Sequence, residues 1–383
     1  MVRRIVASVG VAAVVAAAAV LPLSGQGASA PPPLVVTAYN GGPPLDYTTP
    51  RTPWGDPDLQ GVWSSDDTEG IPRERPPALG TRLYQSDEEF AARQKQITNN
   101  VVNREQNATS TFRNDFARRA FRQTSIIVDP PDGRMPGVTP AAETRRASRD
   151  RGTFGNGPFD TVEDFTLYDR CITRGVVGSV LRVIYGNGNQ IVQGPGLVAI
   201  SYEMIHDTRV LYTDGRPHIG QGIRQYLGDS RARWDGDELV VETTNLTDKT
   251  SIGGNGNGLR HSAQMKIVER FKRVADDILQ YQFTIDDPVT YVRPFTMSFP
   301  LTPLDGGVIL PYECHEGNQA VRNSLSAERA EDKALADDLA RGIVRARRPV
   351  QDAPAGGGRG RGAGAADAGG AGTGRGADPE DAN

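Results

Sequence analysis

From Val177 to Phe299 apolar and polar residues alternate in short runs broken by turn residues, the period of two expected of strands with one buried face. The pattern predicts strands over 59–64, 179–185, 190–193, 197–205, 209–213, 230–235, 238–244, 265–274, 278–285 and 291–299. Asp214-Gly215, Asp235-Gly236-Asp237 and Ala275-Asp276-Asp277 fall between them as hairpin turns. Many short strands joined locally predict a mainly β fold, an antiparallel meander that closes into a barrel or folds as a sandwich.

Helical spacing is confined to the flanks. Ser86 with Glu89 three residues on reads as a capping box and predicts a helix over 87–103, with a second over 111–122. Residues 129–157 turn to Pro, Gly, Arg and Asp and read as a loop. Ala, Leu, Glu and Arg dominate 326–345, a last helix. Arg3 and Arg4, the apolar run Val11 to Leu23 and Ala28-Ser29-Ala30 read as a secretory signal over 1–30, too short in its apolar part for a good membrane span. An extended lead-in over 31–56, a β domain over 57–348 with a helical and loop insertion at about 86–165, and a disordered Gly/Ala/Arg tail over 349–383 complete the organisation. The tail's Gly-Arg spacing is similar to RNA-binding segments, but its interspersed Asp residues and export favour a solvated tail. Export makes the location periplasmic or secreted.

Alternation also places polar groups indoors. Met265, Ile267, Glu269 and Phe271 share one strand face, and Tyr291, Arg293, Phe295, Met297 and Phe299 share another. A buried carboxylate needs a partner, and a guanidinium meets it with two parallel hydrogen bonds. Glu269 and Arg293 therefore either pair inside the fold and fix strand register, or act on a ligand there, Arg293 binding an anion and Glu269 serving as acid or base. In 230–235, Arg231 and Arg233 lie opposite Ala232 and Trp234, as an exposed ion-paired hairpin or as the lining of a ligand mouth.

The four histidines are His206, His218, His261 and His315. His206 continues the face of Val198, Ile200, Tyr202 and Met204 just before a turn, and His315 follows Cys314. Both sit among titratable groups at strand ends, where barrels open. The catalytic candidates are thus His206, Glu269 and His315, and the ligand-binding candidates Arg293, Tyr291 and Arg231. His206, His218, His315 and Glu316 could supply metal ligands, but no two have tight ligand spacing, and no metal site is expected. Neither a Gly-x-Ser-x-Gly elbow nor a phosphate loop nor a dinucleotide fingerprint occurs, and Gly253 to Gly258 reads as a flexible turn. The pattern names no cofactor.

A count of 43 basic and 47 acidic residues, net charge −4, gives no field favouring nucleic acid or an anionic membrane. The partner expected is a small-molecule ligand or substrate, with no nucleic acid and no stable membrane span once the signal is cleaved. The two cysteines, Cys171 and Cys314, would meet oxidising conditions after export and form a disulfide, the alternative being two unpaired thiols with one buried.

The run Gly228-Asp229-Ser230-Arg231-Ala232-Arg233-Trp234-Asp235-Gly236-Asp237-Glu238-Leu239-Val240-Val241-Glu242-Thr243-Thr244-Asn245 resembles the signature of a large family of exported bacterial proteins of uncharacterised function. Pro57 to Trp63, Asp214 to His218 and Cys314 to Asn318 resemble other blocks of that family, so the resemblance spans most of 53–329. It implies no activity. Lys266 departs from the His that relatives often carry before Val-Glu-Arg-Phe. Gly61-x-Trp63 is also similar to the entry strand of lipocalin-type barrels.

The leading expectation is an exported β-barrel enzyme acting on a small organic molecule by acid/base hydrolase or lyase chemistry. The alternatives are a non-catalytic lipocalin-like carrier of an acidic or apolar ligand, and an envelope interaction protein.

Overall fold

A computed structural model describes residues 32–38, 46–106, 116–149, 157–253 and 259–347, and among these residues are ten strands and three α-helices. The expected signal segment, most of the glycine run and the Gly/Ala/Arg tail lie outside those residues. The strands are β1 (Gly61–Ser64), β2 (Ile127–Asp129), β3 (Gly188–Gly194), β4 (Leu197–Tyr202), β5 (Thr208–Tyr212), β6 (Asp229–Asp235), β7 (Glu238–Thr244), β8 (Lys266–Ala275), β9 (Ile278–Asp286) and β10 (Phe295–Pro303). The helices are α1 (Asp87–Gln106), α2 (Pro140–Arg149) and α3 (Ala320–Ala340).

All strands but β2 form a closed ring in the order β1-β3-β4-β5-β6-β7-β8-β9-β10, with β10 pairing back to β1. β2 lies outside the ring, hydrogen-bonded to β10 at Thr296 and Met297. Neighbours run antiparallel except β5 and β6, which are parallel and touch at one register pair, Tyr212 with Arg231. The barrel expected from the alternation is thus present, though mixed. Asp214-Gly215 is no hairpin turn, since residues 213–228 carry the chain from one rim of the barrel to the other.

Alternation decides the interior. Leu279, Tyr281, Phe283 and Ile285 of β9 meet Phe271 of β8 and Met297 and Phe299 of β10 in the main core, with the Tyr281 ring centroid 4.7 Å from Phe271, 5.7 Å from Phe283 and 5.4 Å from Phe299. The other face of β9 is polar yet also buried, and the lead-in makes that tolerable. Gln282 Oε1 accepts from the Val35 amide at 2.8 Å, Gln280 Oε1 from the Thr37 amide at 3.1 Å, and Gln280 Nε2 donates to Ser298 Oγ at 2.9 Å. Buried amide side chains without such partners would each cost a desolvation penalty.

Several expectations fail for local reasons. Residues 179–185 are turns, not a strand, although Val180 and Leu181 are buried in the main core. A short apolar run does not distinguish a strand from a buried plug. Residues 116–122 are not helical, while α2 occupies ground read as loop. The strand expected at 291–299 begins at Phe295, because Tyr291 amide donates to Asp287 carbonyl at 2.8 Å and holds 287–291 in a turn.

Register places the starts of β3, β5, β6 and β8 and the ends of β4 and β7 at one rim. Tight turns at 195–196, 236–237 and 276–277 occupy the other. Cys171 and Cys314 are bonded, with Cα atoms 5.5 Å apart, and tie the segment before β3 to the one after β10.

Candidate functional site at the loop-bearing rim

Glu269 lies inside the barrel, fully buried, but its partner is Arg209 and not Arg293. Arg209 Nη2 stands 2.7 Å from Glu269 Oε2 and Nη1 3.1 Å from Oε1, a two-pronged contact. Tyr281 Oη donates to Glu269 Oε1 at 2.9 Å, and Arg209 also donates to Tyr202 Oη, Ser230 Oγ and Thr243 Oγ1 at 3.0–3.1 Å. Burial alone would weaken the Arg209 charge, and the facing carboxylate more than offsets it, holding the proton above the ordinary arginine value. Burial likewise pushes the Tyr202 phenol up to about 12 and raises Tyr281. Both Glu269 oxygens are taken up inside this enclosed knot, and neither His206 nor His315 is among the partners that hold them. Arg293 is exposed in the bend before β10, and Tyr291 packs edge-on to Phe295 with ring centroids 5.1 Å apart. Arg293 drops out of the interior because the strand starts later than the alternation suggested, while Tyr291 stays buried in the main core.

The rim holds a different constellation, on the outer wall of β6, β7 and β8. Asp229 opens β6 and is 7% exposed. Its Oδ2 lies 2.8 Å from His218 Nδ1 and accepts from the Ile219 amide at 3.1 Å, while Oδ1 meets Arg231 Nη1 at 2.7 Å. A carboxylate held on both oxygens accepts the Nδ1 proton and leaves Nε2 as the basic nitrogen. Nε2 faces Glu242 Oε1 of β7 at 3.5 Å, with a quarter of the His218 side chain open to solvent. Lys266 Nζ, at the start of β8, holds the other Glu242 oxygen at 2.5 Å. The imidazole therefore has a carboxylate on each side.

Local sequence explains why these groups meet. Gly228 has φ +67°, and a Cβ there would collide with the Thr244 carbonyl, so glycine lets β6 start against the end of β7. Asn245, at φ 57°, turns its amide onto the crossover, donating to the carbonyls of Gly220 and Ile223 at 3.0 and 2.9 Å. Residues 214–218 and 228–245 thus converge on His218 and Asp229, and Lys266 sits beside Glu242. The chain matches no family model, no curated protein and no solved structure.

Sequence reasoning weighed His218 as a metal ligand and gave Asp229 no role of its own beside a hairpin read either as exposed and ion-paired or as the lining of a ligand mouth. The chain pattern hides their pairing, because the crossover that carries His218 has no periodicity. The inward placement of Arg209 had a signal in the sequence, though the choice of its partner had none: it shares a strand face with Leu211, a charge on an apolar face. Arg231 does hold a carboxylate, but that of Asp229.

The remaining histidines occupy the same rim. His206 Nδ1 donates to the Tyr312 carbonyl at 2.9 Å, and His315 is exposed beside Cys314. His261 is buried, donating from Nδ1 to the Ser262 carbonyl at 2.9 Å and accepting at Nε2 from Thr250 Oγ1. Burial holds its pKa below the usual imidazole value. Among the described residues no group of three or more His, Cys, Asp or Glu side chains is placed to hold a metal ion.

Proposed function

We propose that this chain is an exported enzyme that performs acid/base chemistry, hydrolysis or elimination, on a small organic molecule, with His218 transferring the proton. The observation that carries this reading is the 2.8 Å contact between His218 Nδ1 and the nearly buried Asp229. A base oriented by a second group, with its other nitrogen reachable, is the arrangement that proton transfer requires. Asp229 fixes the tautomer, Arg231 and the Ile219 amide fix Asp229, and Glu242 faces the nitrogen that gains and loses the proton. Thr244 Oγ1, 3.3 Å from Nδ1, lines the same edge.

Export is supported by the sequence of 1–30 and by the disulfide, which suits an oxidising compartment. No helix among the described residues is long and apolar enough to cross a membrane. Membership of the exported bacterial family is part of the proposal, supported by the meeting of its blocks at His218. The carrier alternative draws no support from Arg209, the charge found indoors, since Glu269 already neutralises it.

The test is a turnover screen of the purified protein against small esters, lactones and elimination substrates, run beside His218→Asn and Asp229→Asn. Loss of about 10²–10⁴-fold in the His218 variant with the circular dichroism spectrum unchanged is expected. No turnover by the wild type across the panel, or equal turnover by the His218 variant, ends this reading. Nitrogen-detected NMR of the imidazole gives a check without substrate: the Nδ1–H tautomer dominates in the wild type and loses that dominance in Asp229→Asn.

A further inference from the structure

A second cluster on the same rim takes no part in the His218 chemistry. Val183, Met204 and Ile205 form a buried apolar floor, and the half-buried rings of Tyr168, Tyr185 and Tyr312 pack against it. The Tyr185 and Tyr312 rings lie 26° from parallel with centroids 6.3 Å apart. Tyr312 hydrogen-bonds to both Tyr168 and Tyr185 through side-chain oxygens, so the three hydroxyls converge. Behind them lies Arg174, 2% exposed, with Nη2 donating to the Leu181 carbonyl at 2.8 Å. The guanidinium lies close enough to the phenols of Tyr168 and Tyr312 for its charge to act on them.

The backbone here is held in an uncommon state. Cys171, Ile205 and His206 have φ of 57°, 67° and 49°, and left-handed geometry at a β-branched residue such as Ile205 is a genuine outlier. Such strain persists only where the surroundings over-determine it, and it gathers at binding sites. Three supports surround it: the Cys171–Cys314 bond, the His206 bond to the Tyr312 carbonyl, and Glu203, which accepts from the Gly188 amide at 3.0 Å and the Leu310 amide at 3.1 Å.

We propose that this tyrosine basin binds a small organic anion, a carboxylate on an apolar body, at a site separate from His218. The carboxylate accepts from the phenol hydroxyls in place of their bonds to one another, and a hydrogen bond to an ionised acceptor is the stronger kind. Arg174 acts from behind, its buried charge favouring negative charge at Tyr168. The apolar body lies along the tyrosine rings, with Ile184, 75% exposed, continuing the apolar surface from Tyr185. Burial raises the pKa of Tyr168 and Tyr312 above the ordinary phenol value, so both keep the proton they donate at neutral pH.

The experiment is calorimetric titration of the full chain at neutral pH with benzoate, and with benzamide as the neutral shape-match. Saturable benzoate binding with one site per chain is expected, at least tenfold weaker in Tyr168→Phe and in Tyr312→Phe, at least tenfold weaker for benzamide, and unchanged in His218→Asn. The phenylalanine variants keep the rings and remove only the hydroxyls, so folding is preserved. Absence of saturable benzoate binding overturns the proposal. So do equal binding of benzamide, undiminished binding by both phenylalanine variants, or loss of binding in His218→Asn.

Discussion

Replacing Glu269 strands a guanidinium in a dry interior, since Arg209 and Glu269 are 4% and 0% exposed. Breaking a buried pair by removing one partner costs about 3–5 kcal/mol, so Glu269→Gln is expected to lower stability by an amount of that order in a urea titration. A loss under about 1 kcal/mol would mean that water reaches Arg209. The same residues show what a sequence discloses. Glu269 on an apolar face was readable from alternation alone, and so was the need for an arginine. Which arginine answers it was not readable, because pairing across the barrel depends on where β10 starts, and a turn closed by Asp287 decides that.

At the scale of elements, the crossover 213–228 has little core of its own and depends on Asn245. The side-chain amide of Asn245 reaches the carbonyls of Ile219, Gly220 and Ile223 at 3.4, 3.0 and 2.9 Å. Asn245→Ala leaves these acceptors to water, a local cost of about 0.5–1.5 kcal/mol. Hydrogen exchange should therefore quicken at the amides of 219–228 while those of β8 and β9 keep their protection. Equal protection in the variant would show that the crossover is held by other contacts. β4, β6, β7, β8 and β9 were legible to within a few residues because each has one apolar face. β2 and α2 were not, since they lie outside the ring in a segment rich in Pro, Gly and Arg, where tertiary contacts and not periodicity choose the conformation.

For the molecule as a whole, two properties respond to solution conditions. The disulfide joins residues 143 apart in sequence, and in the chain-entropy model a loop of that size contributes roughly 5 kcal/mol. Reduction should lower the urea midpoint accordingly, and an unchanged midpoint would refute that contribution. His261 sets a pH dependence. Burial lowers its folded pKa below 6.5, so the unfolded chain takes up the proton first as the solution is acidified. Its contribution is full above the unfolded value and is lost as pH falls through the window beneath it, which predicts a lower urea midpoint at about pH 5 than at about pH 7.5. Asp66 and Asp207, both raised by burial, act with the opposite sign, their contribution fading as pH climbs from the ordinary carboxylate value.

Nine strands close the ring, and nine is odd. Up and down cannot alternate around an odd circle, so at least one pair of neighbours must run the same way. Here that pair is β5 and β6, and two strands pointing the same way need a connection that travels the height of the wall. The segment that carries His218 to Asp229 is that connection. An even-stranded relative of this barrel could join the same two strands by a short hairpin, and it would then have no chain in position to bring a histidine there.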